Sequence, residues 1–186
     1  MEKNINWISG KCGYGKTTLA NSIIKKNKEK DKKICKLSGK AFISSLIQNL
    51  QSKETVENFV SNFQNYDLLI LDDIDYCLLD KKSTQKEVKW AIQRITNNNK
   101  TKVVLITQKR ARKLRELKFD SDKCSYKRLK SPTLKIKKEI VGEWSKKERL
   151  IIAKEKIDEI INKSDNLFQL KGLFNQISFS IRYNKQ

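Results

Sequence analysis

Residues 10–17 read Gly-Lys-Cys-Gly-Tyr-Gly-Lys-Thr, eight positions that satisfy the pattern GxxxxGK[ST] in full. Glycines at 10, 13 and 15 let backbone N–H groups turn inward where a side chain would block the approach of a phosphate oxygen. The first turn of the helix that follows adds the positive end of its dipole. Lys16 is placed to reach β and γ phosphates and the Thr17 hydroxyl to ligate Mg²⁺, so the chemistry is nucleoside triphosphate binding. The candidate nucleotide-binding residues are Gly10, Lys11, Cys12, Gly13, Tyr14, Gly15, Lys16, Thr17 and Thr18.

A second constellation lies in Leu68-Leu69-Ile70-Leu71-Asp72-Asp73-Ile74-Asp75. A carboxylate ending a buried strand beside a phosphate loop can hold the Mg²⁺ hydration shell, and its neighbour can orient or deprotonate an attacking water. Asp72 takes the first role and Asp73 the second, while Asp75 reads as a loop or capping residue. Together the two blocks point to ATP with Mg²⁺ and to its hydrolysis.

These groups need a scaffold that presents strand ends. Apolar runs at 4–9, 33–37, 67–71 and 102–107 read as strands. Between them, helical periodicity covers 16–30, 41–51 (Phe42, Leu46, Ile47 and Leu50 on one face), 54–63 (Val56, Phe59, Val60, Phe63) and 84–96 (Val88, Ala91, Ile92, Ile95). Strands alternating with helices imply right-handed crossovers and a parallel sheet covered on both faces. The single proline, Pro132, precedes Thr-Leu-Lys-Ile-Lys-Lys-Glu-Ile-Val at 133–141, expected as the last strand. From Ser145 the pattern is helical only, and Ser145 with Glu148 forms a capping-box signature. A subdomain boundary is therefore expected near residue 143.

Composition narrows the class. With 186 residues, 38% apolar, the chain can bury one good core and a small satellite. Its longest apolar stretches are far too short to span a bilayer, and no signal-peptide core opens the chain, so the expectation is a cytoplasmic protein without a membrane partner. Cys12, Cys35, Cys77 and Cys124 are widely spaced and no histidine joins them, which reads as reduced thiols. The net charge is +20, and residues 108–138 hold 13 Lys or Arg against 3 acids. Half the net charge thus sits in a sixth of the chain, the footprint expected for nucleic-acid phosphates, most simply DNA.

The phosphate loop, the block Tyr66–Val88, the strand at 102–107 and a helical tail containing Leu170-Lys171-Gly172-Leu173-Phe174-Asn175-Gln176-Ile177 resemble the AAA+ ATPase core of DnaA-type bacterial replication initiators. The resemblance runs from about residue 5 to 183. It implies an α/β fold, a P-loop NTPase αβα sandwich with a five-stranded parallel sheet at 1–143, and a small all-helical lid at 144–186. It also implies head-to-tail assembly in which one subunit's arginine completes its neighbour's ATP site. Carried over by position, Thr107 or Gln108 would watch the γ-phosphate and Arg128 would be the trans-acting arginine, ahead of the last strand.

Three departures from the family pattern bear on activity. Gln176 stands where the lid normally offers an arginine. Arg182, six residues on, is turned about 600° around the helix and so lies on another face. With about nine residues ahead of the phosphate loop and none beyond the expected lid, the expectation is a protein without the family's adenine-contacting segment and without its helix-turn-helix domain. The leading expectation is an Mg·ATP-dependent accessory or regulatory factor in replication initiation, acting on DNA or on an initiator or helicase through homo- or hetero-oligomers. A helicase loader, an IstB-like transposition ATPase and a hydrolysis-deficient DNA-binding scaffold are the alternatives.

Overall fold

The apolar runs form parallel strands whose ends come to one edge. The computed structural model describes residues 3–52, 56–78 and 81–183, without the side chains of residues 76 and 77. Strands β1 (Ile5–Ser9), β2 (Ile34–Ser38), β3 (Leu68–Asp72), β4 (Lys102–Thr107) and β5 (Cys124–Arg128) pair in the order β2-β3-β4-β1-β5. All four pairings are parallel, with Leu71 opposite Leu105, Ser38 opposite Asp72, and Ser9 between Thr107 and Arg128. Central strands β3, β4 and β1 are almost wholly buried, as a sheet covered on both faces requires. The outer strands β2 and β5 keep charged and polar side chains at the rim, which disfavours edge-on pairing with another chain.

Side-chain alternation divides the core. Ile5, Trp7, Leu69, Leu71, Val103 and Leu105 face helices α2 (Gly39–Gln51), α3 (Val56–Gln64) and α4 (Lys82–Thr96), where Phe42, Phe59 and Phe63 pack ring against ring at 5.1–5.5 Å. Ile8, Leu68, Ile70, Val104 and Ile106 face α1 (Lys16–Lys28) through Ala20, Leu19, Ile23 and Ile24. A second compact unit has its own core, in which Val141 of α5 (Leu134–Glu148), Ile160 and Ile161 of α6 (Lys154–Lys163) and Leu170 and Phe174 of α7 (Leu167–Tyr183) are buried.

Several boundaries differ from the sequence reading. The stripe of α2 is Phe42, Ile43, Leu46 and Asn49, with Ile47 and Leu50 on the outside at 40% and 41% exposure. Helix α3 begins at Val56, and the residues 54 and 55 also expected to be helical lie outside the described residues. The segment 133–141 is not the last strand but the start of α5, capped by Thr133, whose hydroxyl accepts from Ile136 N. Its apparent alternation came from Leu134 and Ile136, both solvent-exposed, while the buried residues Lys137 and Val141 follow helical spacing. The fifth strand is instead Cys-Ser-Tyr-Lys-Arg, which an edge position allows because only its first side chain is fully buried. Nor do Ser145 and Glu148 form a capping box: Ser145 lies within α5 and donates to Val141 O at 2.9 Å, and the helix ends at Glu148. In consequence the units divide at Leu129/Lys130, ahead of the expected boundary near 143, with Cys12–Gly15 belonging to the helical unit.

Gly39 fixes the end of β3. A Cβ there would lie 2.2 Å from Ile74 Cα and 3.0 Å from Asp73 O, contacts with backbone that cannot swing aside. Gly142 and Gly172, inside helices, have nothing within 4 Å of a Cβ. Gly39→Ala is therefore expected to destabilise by about 2 kcal/mol or more, whereas Gly142→Ala is expected to stabilise by about 1 kcal/mol. Urea unfolding of the two variants checks the contrast, and equal midpoints would contradict the close approach.

Candidate nucleotide-binding site

The phosphate loop leaves β1 at Ser9 and enters α1 at Lys16. Gly10 is buried, its N–H donates to Thr107 O at 3.2 Å, and a Cβ on it would press on Leu129 Cβ at 3.1 Å. Gly13 and Gly15 adopt φ of +77° and +86°, the left-handed region that strains any side chain. At Gly13 a Cβ would in addition come within 2.8 Å of Asn166 Oδ1, and the Gly13 carbonyl accepts from Leu167 N at 2.9 Å. Asn166 caps α7 by accepting from Phe168 N and Gln169 N. Two of the three glycines are thus demanded by φ and the third by the approach of β5.

Lys16 is 93% buried by its neighbours, and its ammonium donates to Gly10 O at 2.8 Å and Lys11 O at 3.1 Å. Among the described residues it is held under the loop by carbonyls, a neutral set that leaves its charge uncompensated. Thr17 and Thr18 are exposed at the start of α1. Asp72 ends β3 on the same sheet face as Ile70, toward α1, and lies 3.7 Å from Lys36 Nζ. That loose, partly exposed ion pair is worth at most about 1 kcal/mol and yields readily to a cation. Among the described residues no group of three or more carboxylates or thiols could hold a metal by itself. An Mg²⁺ here would share its ligands between Thr17, Asp72 and a bound phosphate, which fits the donors present.

Asp73 is exposed and adopts φ +52°, ψ +40°, a left-handed conformation that aspartate tolerates and that aims it off the end of the strand. Asp75 does more than cap a loop. Only 3% exposed, its carboxylate accepts from Gln108 N at 3.0 and 3.1 Å and from Lys109 N at 2.6 Å, joining the segment after β3 to the end of β4. Its place in Asp-Asp-Ile-Asp, directly after an apolar run, was the available signal, since a carboxylate that such a run carries into the core must find donors.

Thr107 and Gln108 are separated by the structure. Thr107 is fully buried on the face shared with Trp7. Its hydroxyl accepts from Trp7 Nε1 at 2.8 Å and donates to Lys109 O at 2.7 Å. Both functions of that hydroxyl are committed to the fold, leaving Gln108, exposed at the strand end, as the residue with a free side chain. Arg128 ends the last strand rather than preceding it, and residues 120–123 directly ahead of that strand contain no arginine. In the helical unit Gln176 is exposed, and Arg182 is paired with Glu148 at 3.1 Å. Glu148 also meets Ser178 and Lys171, and the Ser178 hydroxyl with these two cations holds its carboxyl below the usual range.

The thiols divide by exposure. Cys12 is exposed on the phosphate loop, while burial pushes the Cys124 thiol up to about 11 and raises that of Cys35 as well. Cys77, expected to be a reduced thiol, has its side chain outside the description.

A parallel sheet in the order β2-β3-β4-β1-β5, a GxxxxGKT loop after β1 and an Asp-Asp pair after β3 define the AAA+ class of P-loop ATPase domains. Residues 2–126 match the bacterial DnaA ATPase domain family, and the chain belongs to it. It is 24% identical over 184 residues to the chromosomal replication initiator protein DnaA of Helicobacter hepaticus, covering 96% of this chain and 40% of that one. The chain therefore spans about two fifths of the length of this relative. Among solved structures, AMPPCP-bound DnaA from Aquifex aeolicus superposes with a TM-score of 0.78 at 22% identity, covering 97% of this chain and 56% of that one. A replication initiator DnaA bound to AMPPCP and single-stranded DNA gives 0.74 at 22% identity, covering 98% and 59%. Among the described residues no helix is long and apolar enough to cross a membrane.

Two outcomes follow from the side-chain placements. Asp75→Ala strips two backbone donors, Gln108 N and Lys109 N, of a charged acceptor and is expected to cost about 2–4 kcal/mol, lowering Tm by roughly 5–10 °C. A fall under about 2 °C in a thermal melt would contradict the clamp. At pH 8 only about one Cys124 in a thousand is thiolate, so iodoacetamide should label Cys12 first, and Mg·ATP should slow that labelling. Peptide mapping by mass spectrometry reads both, and preferential labelling of Cys124 would reverse the assignment.

Proposed function

We propose that this DnaA-type AAA+ domain binds Mg·ATP at residues 10–18 and hydrolyses it slowly, as an accessory or regulatory factor in replication initiation. The observation that carries the reading is the buried Lys16 ammonium, held among the described residues by the loop carbonyls of Gly10 and Lys11. An ammonium so placed exchanges neutral acceptors for phosphate oxygens, a charge-assisted gain. The N–H groups of Gly13–Thr18 cradle the phosphates, and Thr17 and Asp72 hold the metal. A metal held there would supply neutralisation of the phosphate charge. Asp73 orients or deprotonates the attacking water, with its backbone fixed by Gly39 and Asp75, and Gln108 rather than Thr107 faces the γ-phosphate. Slow turnover is supported by Gln176 at the lid's arginine position and by the engagement of Arg182 with Glu148.

DNA is the proposed macromolecular partner, through the stretch 108–138, which carries ten net positive charges. Oligomers with itself, or with a replication initiator or helicase, are the proposed working form. A trans-acting role for Arg128 belongs to this reading, although its place at the end of the last strand departs from the expected one ahead of it.

Calorimetry with Mg·ATP on the wild type and Lys16→Ala, followed by sizing with and without ATP, tests the nucleotide reading. Binding at micromolar concentrations, weakened at least about a hundredfold by the substitution, is expected, because the ammonium contacts the charged phosphates directly. Equal binding by the variant, or no binding to the wild type at millimolar ATP, would overturn it.

A further inference from the structure

Helix α7 keeps one face out of its own unit. Leu170 and Phe174 are buried against α5 and α6, while Phe168, Phe179 and Tyr183 stand 67%, 60% and 61% exposed on the far side. Phe168, Gly172, Asn175 and Phe179 follow one another at steps of four, three and four residues. At ~100° per residue they lie within about 60° of one another around the helix. All four are exposed, and Arg182, also exposed, continues the series by one more step. This is the spacing of a seam that a second helix covers. The ring of Phe179 stacks on that of Tyr183 with centroids 4.1 Å apart, so each holds the other in place at the surface.

The seam also has relief. Gly172 sits in mid-helix, where glycine costs stability against alanine, and a Cβ there would meet nothing within 4 Å. Packing within its own copy gives no reason for that glycine, whereas a helix approaching from outside does. Asn175, Ser178, Phe179 and Arg182, at i, i+3, i+4 and i+7, line a hollow together with Glu148 and Tyr183. Four residues at that spacing form the hole into which a facing helix inserts one side chain. Charge points the same way. The chain carries +20, yet both cations of α7, Lys171 and Arg182, pair with Glu148, at 3.2 and 3.1 Å. On so basic a surface, this is a strip where a second basic copy can lie without meeting an unpaired charge.

We propose that the outer face of α7 docks a second copy of this chain, with the two α7 helices antiparallel across a two-fold axis. Phe168 of each copy then fills the hollow beside Phe179 of the other, and Asn175 of each lies over Gly172 of the other. Both contacts come from one register, so the face is self-complementary, as a closed pair requires. A parallel pair would set glycine against glycine, leaving a void, and would align the two helix dipoles. The antiparallel pair differs in kind from head-to-tail assembly. It closes at two copies, and no seam residue is among the proposed nucleotide ligands, so it needs no nucleotide. At their exposures the three rings offer roughly 120 Å² each, or about 700 Å² in the pair, which places the contact among weak, reversible interfaces.

Sedimentation equilibrium without nucleotide, at protein concentrations from about 1 to about 300 μM, tests the pairing. The wild type is expected to dimerise reversibly with a Kd of about 10–100 μM. It should do so more tightly at about 0.5 M salt than at about 0.1 M, because salt screens the repulsion between two chains of charge +20. Phe179→Ser should weaken the dimer at least about tenfold. Gly172→Leu should weaken it by about as much by blocking the close approach. Its monomer should melt no lower than the wild type, since leucine favours helix and meets open space there. Leu134→Ser, which removes an exposed apolar side chain of α5 away from the seam, is expected to change Kd less than about twofold. A wild type still monomeric at about 300 μM would overturn the pairing. So would dimers that need Mg·ATP or grow beyond two copies, wild-type affinity in Gly172→Leu, or equal losses from Phe179→Ser and Leu134→Ser. None of these outcomes bears on the nucleotide and DNA readings, which have their own tests.

Discussion

One buried carboxylate ties the edge of the candidate site together. Asp75 leaves β3 just beyond the Asp72–Asp73 pair and accepts the backbone N–H groups of Gln108 and Lys109 at the end of β4. Two strands that are neighbours in the sheet diverge at their ends, because a parallel sheet has no turn there to hold them. The carboxylate supplies the missing link and sets where Asp73 and Gln108 point. Gly39 acts from the other side, letting the backbone at Asp73 and Ile74 pass against the first turn of α2. The residues proposed to handle the γ-phosphate and water thus owe their places to two residues that touch neither.

Trp7 does comparable work across the sheet. Its indole N–H goes to Thr107, and its ring carries Phe119 and Tyr126. In a fold whose central strands are aliphatic, this one large side chain spans from β4 to β5 and fixes both strand ends. Thr107 therefore belongs to the core's hydrogen bonding, and the polar duty at the end of β4 passes one residue on.

The centre of the sheet, the edge strand β2 and the phosphate loop were legible in the sequence, and the β5 rim was not, for a physical reason. Strands β1, β3 and β4 are buried on both faces, so hydrophobicity alone marks them, and Gly10, Gly13 and Gly15 answer constraints that no other residue meets. Strand β5 needs only one inward side chain, Cys124, so its remaining positions were free to become Tyr126, Lys127 and Arg128. That freedom hid it behind the more regular alternation of 133–141. The same holds for α2, where Ile43 and Asn49 are buried and Ile47 and Leu50 are not: a helix with more apolar residues than its contact face requires does not announce which stripe is used. Asp75 and Gly39 escaped because their importance lies in pairing with segments far along the chain.

The freedom at β5 also explains where the charge could accumulate. A rim strand tolerates like charges that a central strand would exclude, since water screens them until a partner arrives. Ser9 links this rim to the nucleotide loop: it sits opposite Arg128 in the sheet, its carbonyl accepts from Leu129 N at 2.7 Å, and the next residue is Gly10. Gly10 in turn lies against Leu129. The one glycine of the loop that is fixed by close contact instead of by φ is therefore held in place by the same β5 rim that carries the exposed charges, through packing already present in the fold.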